Sequence, residues 1–407
     1  MLAEKILQEA QANAAEISNH RRWLHAHPGT GFDIADTVAY VKEKLTALGY
    51  APQPCGKAGL VALAGGKRPG KVFLLRADMD ALPMQEQSGE EFASENGCMH
   101  ACGHDMHTAM LLEAARLLKE HEGEIEGTVK LMFQPAEEIF CGSKDMIEHG
   151  VLENPAVDAA LMLHMTVGLP FIPGSVIVPP SGPSSPAADY FEIHVQGKGC
   201  HGSTPQDGVD SLVAAAHILI ALQEMHAREL PMGERAVLTV GTMHGGTASN
   251  AIADSTVMGG TIRTFDEDTR AMLKKRMEEI AAGVATAFRA TAEVKYTSGC
   301  PVLVNDEALA NSAATYVREI LGDKCFTAAQ LAAMAKGKKG GSSGGSEDFA
   351  YLSQKVPTLM LALAGGQPQK GHTHPLHHPM VTFDESARPS GAAVLTHMAL
   401  RWLEENK

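Results

Sequence analysis

The stretch Lys71–Pro83, KVFLLRADMDALP, opens on four consecutive apolar residues and ends in two aspartates and a proline. A short apolar run without alternation reads as a strand buried on both faces. TVKLMFQPAEE (Thr128–Glu138) and DAALMLHMTVG (Asp158–Gly168) repeat the pattern, each apolar and then abruptly polar. Between the first two lies HDMHTAMLLEAARLLKEH, whose apolar residues recur at helical spacing. Strand, helix and strand in that order predict an α/β fold around a doubly wound mixed sheet, mostly parallel. In such sheets the polar residues that end the strands gather in one crevice, the expected site.

The chain has 407 residues, too many for one ordinary core. The proline- and serine-rich VPPSGPSSPAAD (Val178–Asp189) reads as a linker. Beyond it, alternating strands and two helices predict an inserted α+β domain over residues 186–299. The catalytic part is then discontinuous, 1–185 and 300–407. KGKKGGSSGG (Lys336–Gly345) reads as a flexible loop before SEDFA.

A net charge of −14 argues against nucleic acid and anionic membranes as partners, and no apolar run is long enough to span a bilayer. The N-terminal thirty residues read as one acidic amphipathic helix rather than a signal peptide. Seven thinly spread cysteines point to reduced thiols and a cytoplasmic location.

Chemistry concentrates in CMHACGHDMH (Cys98–His107). Cys102 and His104, two positions apart at a helix start, can aim a thiolate and an imidazole at one divalent ion. An inert buried thiol and a capping turn remain the bland alternatives. His100 and His107 are weaker candidates, His107 more a supporting or helix-surface residue than a ligand. Glu137 and Glu138 are adjacent at a strand end, where two carboxylates repel unless a cation or hydrogen bonds hold them. One carboxylate can ligate while the other takes a proton from water. Asp78 and Asp80 end another strand, and one of them can orient a ligand histidine. His164, and His377 or His378, complete the set.

Together with RRWLHAHPGTGF, GKGCHGSTPQDGVD, GGTASNAIAD, GTIRTFDED and LHHPMVTFDE, these stretches resemble the aminoacylase and hippurate hydrolase group of di-metal amidohydrolases. The branch is the one that includes hydrolases of indoleacetyl-amino acids. The resemblance runs over nearly the whole chain. It implies that Cys102, His104, Glu138, His164 and His377 hold two divalent ions, manganese or zinc first, cobalt or nickel also feasible. It implies that Glu137 is the general base, that Asp80 supports the site, and that the insertion is a lid and dimerisation domain. His201 would reach the scissile carbonyl, and Asn250 and Arg263 would contact substrate. The expected reaction is hydrolysis of the amide bond of a small N-acyl amino acid, with a homodimer formed through the insertion. A dipeptidase or carboxypeptidase of the same architecture is the second enzyme reading; a binding protein without catalysis and a Cys98–Cys102 redox pair are the others. One departure stands out: His27-Pro28-Gly29-Thr30 occupies the place where relatives often read H-P-E-L.

Overall fold

The computed structural model describes residues 2–334 and 345–407. Most of the expected Lys336–Gly345 loop therefore lies outside the described residues. The chain forms two compact units. Among the described residues, one comprises 2–184, 304–334 and 351–407, and the other 185–303 with 345–350.

The first unit is built on one large sheet. Its strands are β1 (Gln53–Cys55), β2 (Gly59–Gly65), β3 (Val72–Asp78), β4 (Thr128–Gln134), β5 (Ala159–Thr166), β6 (Val176–Val178), β7 (Cys325–Thr327) and β8 (Thr358–Ala364). They lie in the order β1-β2-β4-β3-β5-β8-β6-β7. The central β4, β3, β5 and β8 are mutually parallel. Antiparallel pairing enters at β1–β2, β2–β4 and β8–β6, so the sheet is mixed. Every residue of β3 and β4 is buried, which means both faces of the sheet are covered.

Six helices matter here: α1 (Leu2–Ala12), α2 (Ala14–Ala26), α3 (Ala35–Ala47), α4 (His104–Glu120), α5 (Glu307–Leu321) and α6 (Arg388–Glu405). The long helix α4 is buried along most of its length and packs against α2 and α6. Its Met106, Met110, Leu111 and Leu117 join Phe73, Leu75, Leu131, Leu161 and Leu361 of the sheet in one core. Each such side chain contributes about 1.5–3 kcal/mol on burial, which fixes where α4 begins.

Two expectations are corrected. The N-terminal segment is not one helix: it breaks at Asn13, whose amide nitrogen donates to Glu113 at 2.6 Å. Asparagine is a weak helix former, and this tertiary bond competes with continued helix. The linker is also shorter than Val178–Asp189, because its last residues already belong to the strand Ala187–Gln196.

In the second unit that strand lies inside a four-stranded antiparallel sheet, between Ser255–Thr264 and Thr291–Cys300, with Ala236–Gly245 at the edge. Helices Ser211–Ala221 and Glu267–Ala287 close its core on Phe191, Ile193, Met258, Ile262 and Leu273. A small ribbon pairs Cys200–His201 with Ala251–Ile252.

Candidate metal centre

Strands β3, β4 and β5 are parallel, and Asp78 sits in register with Gln134. The segments that leave them therefore emerge on one edge and carry Asp80, the Glu137–Glu138 pair and the end of β5 with His164. Helix α4 starts at the same edge. Its cap, Gly103, has φ +88°, and a Cβ there would lie 3.1 Å from the side chains of Met165 and Phe383. Only glycine fits both demands, and it sets Cys102 and His104 on the two sides of the turn. His377 also has positive φ, +63°, and its amide donates to the carbonyl of Ala101 at 3.0 Å, which anchors it beside Cys102.

The side chains converge. Cys102 Sγ lies 3.6 Å from His164 Nε2 and 3.3 Å from His377 Nε2. Glu138 lies 3.6 Å from His377 Nε2, and both Glu137 and Glu138 lie 3.9 Å from His104 Nε2. Cys102, His104 and His164 form one donor group, and Cys102, Glu138 and His377 form another; the donor atoms of each lie within 4.8 Å of one another. Cys102 belongs to both, so its sulfur is placed to be shared by two ions.

Hydrogen bonds fix which ring nitrogens face inward. His104 Nδ1–H donates to the carbonyl of Asp80 at 2.8 Å, and His164 Nδ1–H donates to the carbonyl of Met165 at 2.7 Å. Carbonyls only accept, so in the neutral ring, the form that binds a cation, each Nε2 keeps a lone pair. His104 Nε2 is buried and has no hydrogen-bond partner, a costly state for a polar atom unless an ion takes it. Burial, with His107 nearby, lowers His164 to about 3, so its ring is neutral. Burial, with the Glu138 carboxylate beside it, pushes the Cys102 thiol up to about 12. A thiolate at that position needs a strong local positive charge. The donors present thus fit divalent metal.

The Glu137–Glu138 turn is held by its backbone. The Asp80 carboxylate accepts from the amides of Glu137 and Glu138 at 3.0 and 3.3 Å. Ala136 and Phe140, on either side, have φ +55° and +56°, sparsely populated for residues with a Cβ. The Gly29–Asp33 turn stitches both sides of this assembly: Gly29 O accepts from Ala81 N at 2.8 Å, and Gly31 O accepts from Ala136 N at 3.1 Å. A Cβ on Gly29 would stand 2.2 Å from the carbonyl oxygen of Asp33. The departure from H-P-E-L is therefore built into the backbone, which leaves no room for a side chain there.

The remaining sequence candidates fall as follows. His378 stacks on His374 at 4.3 Å, and its Nδ1 accepts from Met380 N, so it is turned to its own loop. His100 is buried but joins none of the donor groups. All seven cysteines are free, and the neighbours of Cys102 are imidazoles. His107 is not on the helix surface: it is 2% exposed, and both ring nitrogens are used, by Asp78 at 2.6 Å and by Met165 N at 2.7 Å. In the second unit, His201 pairs with Ala251 in the ribbon, and the carbonyl of the adjoining Asn250 accepts from Gly202 N; both His201 and Asn250 are exposed. His201 Nδ1 accepts from Ser203 N at 3.1 Å, which leaves Nε2 to carry the proton of the neutral ring. Arg263 lies on the sheet strand and donates to Ser346 Oγ at 2.8 Å.

Sequence reasoning missed two buried charge networks. Arg76, inside the apolar run of β3, donates to Asp78 at 2.5 Å and to Gln134 at 2.9 Å. Arg21 and His25 of α2 hold Asp105, the neighbour of His104, at 2.8 and 2.9 Å, and His25 reaches Glu86 at 3.0 Å. Burial opposes charge on His25, but Asp105 and Glu86 raise it to about 9. The available signal was a charged residue within each apolar period.

A family model, peptidase family M20/M25/M40, matches residues 74–401. The chain belongs to this family. It is 37% identical to an N-acetyl-L-cysteine deacetylase of Bacillus subtilis over 95% of this chain and 88% of that one. It is 36% identical to an IAA-amino acid hydrolase of Arabidopsis thaliana, over 95% and 84%. Among solved structures, the YXEP protein of Bacillus subtilis, described as a dinuclear metal-binding peptidase of the M20 family, superposes with a TM-score of 0.78. It is 33% identical over 97% of this chain and 99% of that one. No described helix is long and apolar enough to cross a membrane.

Proposed function

We propose that the protein is a metal-dependent amidohydrolase that cleaves small N-acyl amino acids to a carboxylic acid and a free amino acid. The observation that carries this reading is the pair of donor groups sharing Cys102, with the Glu137 carboxylate 3.9 Å from His104 Nε2. A binding module would need the donors but not a second carboxylate to move protons. The relatives named as deacetylase and amino-acid conjugate hydrolase agree in reaction type.

In this reading Cys102, His104 and His164 hold one ion, and Cys102, Glu138 and His377 the other; manganese or zinc comes first, the sulfur and nitrogen donors suiting zinc and the carboxylate suiting manganese. When bound, two divalent ions polarise the scissile carbonyl and make water more acidic. Glu137 takes the proton of the attacking water and returns a proton to the leaving amine. Asp80 holds the Glu137 amide, so the base cannot swing away. His201, with its proton on Nε2, donates to the developing oxyanion, a contact worth about 2.7–4 kcal/mol. Asn250 and Arg263 hold the amino-acid half, Arg263 by a charge-assisted contact to its carboxylate. The second unit acts as lid and as the surface for a homodimer, in a cytoplasmic enzyme.

The test is a substrate panel on protein stripped by chelator and reloaded with manganese, zinc, cobalt or nickel. N-acetyl, N-benzoyl and indoleacetyl amino acids are compared with dipeptides. Metal-restored turnover of an N-acyl amino acid is expected. Turnover of dipeptides alone would move the assignment to a dipeptidase, and silence on all substrates with metal bound would overturn it.

A further inference from the structure

One chain of hydrogen bonds runs from β3 within the sheet to the donor cluster. Arg76 Nη1 donates to Asp78 Oδ2 at 2.5 Å. Asp78 Oδ1 faces His107 Nδ1 at 2.6 Å. His107 Nε2 accepts from the amide of Met165 at 2.7 Å, and the carbonyl of Met165 accepts from His164 Nδ1–H at 2.7 Å. His164 Nε2 then faces Cys102 Sγ at 3.6 Å. Arg76, Asp78 and His107 are each at most 2% exposed.

The chemistry admits one arrangement of protons. A backbone amide only donates, so His107 Nε2 is a bare acceptor and Nδ1 carries the proton towards Asp78. With both nitrogens engaged, His107 has none left for an ion. It instead joins the first turn of α4 to the last residues of β5, and holds the N–H of Met165, the residue whose carbonyl orients His164.

We infer that His107 is a positioning residue that sets the His164 imidazole for metal through the Met165 backbone, with Asp78 and Arg76 as its support. The inference rests on the two-ion reading above for its metal consequence, but the grip on Met165 can be read without metal. Loss of such an outer partner typically weakens metal affinity about 10–100-fold. The loss should fall on the ion held by His164 and largely spare the one held by Glu138 and His377.

Three variants separate positioning from packing. Glutamine places its amide oxygen near the position of Nε2 and can still accept from Met165. Asparagine reaches only the Nδ1 position. Leucine fills space and makes neither contact. The probe is manganese alone, titrated into chelator-stripped protein, alongside hydrogen exchange of the Met165 amide in the metal-free state. Met165 should be protected in wild type and His107→Gln and exchange faster in His107→Asn and His107→Leu. One of the two manganese sites should weaken about 10–100-fold in the latter two and stay within about threefold of wild type in His107→Gln. Equal Met165 protection in all four proteins would overturn the inference, as would equal weakening in His107→Gln and His107→Leu. A wild type that binds fewer than two ions would instead count against the two-ion reading, while the exchange data still decide the grip.

Discussion

Adding one methyl group at Gly29 should damage catalysis more than binding. The Cβ of Gly29→Ala would sit 2.2 Å from the carbonyl oxygen of Asp33, against an ordinary contact of 3.4 Å or more. The obstacle is backbone, so the turn must open by about 1 Å, the scale of misplacement that costs about 100-fold in rate. Gly29 O holds Ala81, next to Asp80, and two residues on Gly31 O holds Ala136, next to Glu137. Opening the turn therefore shifts the general base and the Asp80 carbonyl that orients His104, while Cys102, His164 and His377 are anchored elsewhere. The variant should lose about 1–3 kcal/mol of stability from overpacking and about 100-fold in kcat. KM should change little, and any loss of metal should fall on the ion that His104 would hold. Steady-state kinetics on the best substrate, with thermal unfolding and metal analysis, reads all of these. Wild-type kcat in Gly29→Ala, or a loss confined to KM, would refute the argument that this turn positions Glu137.

Other perturbations have equally definite outcomes. Glu137→Gln should keep both ions and the fold but lower kcat about 100- to 10,000-fold, the range for a lost general base; loss of metal instead would make Glu137 a ligand. His25 is raised from its usual 6.5 to about 9, so its charge stabilises the fold fully below pH 6.5 and the contribution fades as pH rises through 9. The stability gap between wild type and His25→Gln, about 3 kcal/mol at pH 6, should close by about pH 10; a gap constant with pH would show that His25 only packs. Arg76→Met leaves the fully buried Asp78 without its guanidinium and should cost about 3–5 kcal/mol, seen as a lower denaturation midpoint; an unchanged midpoint would mean His107 alone sustains that charge.

The order of strands and helices was legible because β3, β4 and α4 are buried nearly throughout, so local pattern and tertiary environment agree. Cys102, His104, Glu137 and Glu138 were legible because they cluster where apolar runs stop. His377 could not be told from His378 by residue type. Their difference lies in a positive φ and a bond to Ala101, both set by distant chain. The role of His107 was hidden for a related reason: its partners, Asp78 and Met165, come from two strands of the sheet, far from it in the chain. The break at Asn13 was equally invisible, since Glu113 lies one hundred residues away.

The central claim is that one cysteine serves two ions. It is tested by loading wild type and Cys102→Ala with cobalt, then counting ions per chain and recording the thiolate-to-metal absorption. Two ions with a sulfur charge-transfer band in wild type, and loss of the band and of most metal in a folded Cys102→Ala, is the expected result. Two tightly bound ions in Cys102→Ala, with turnover intact, would contradict it.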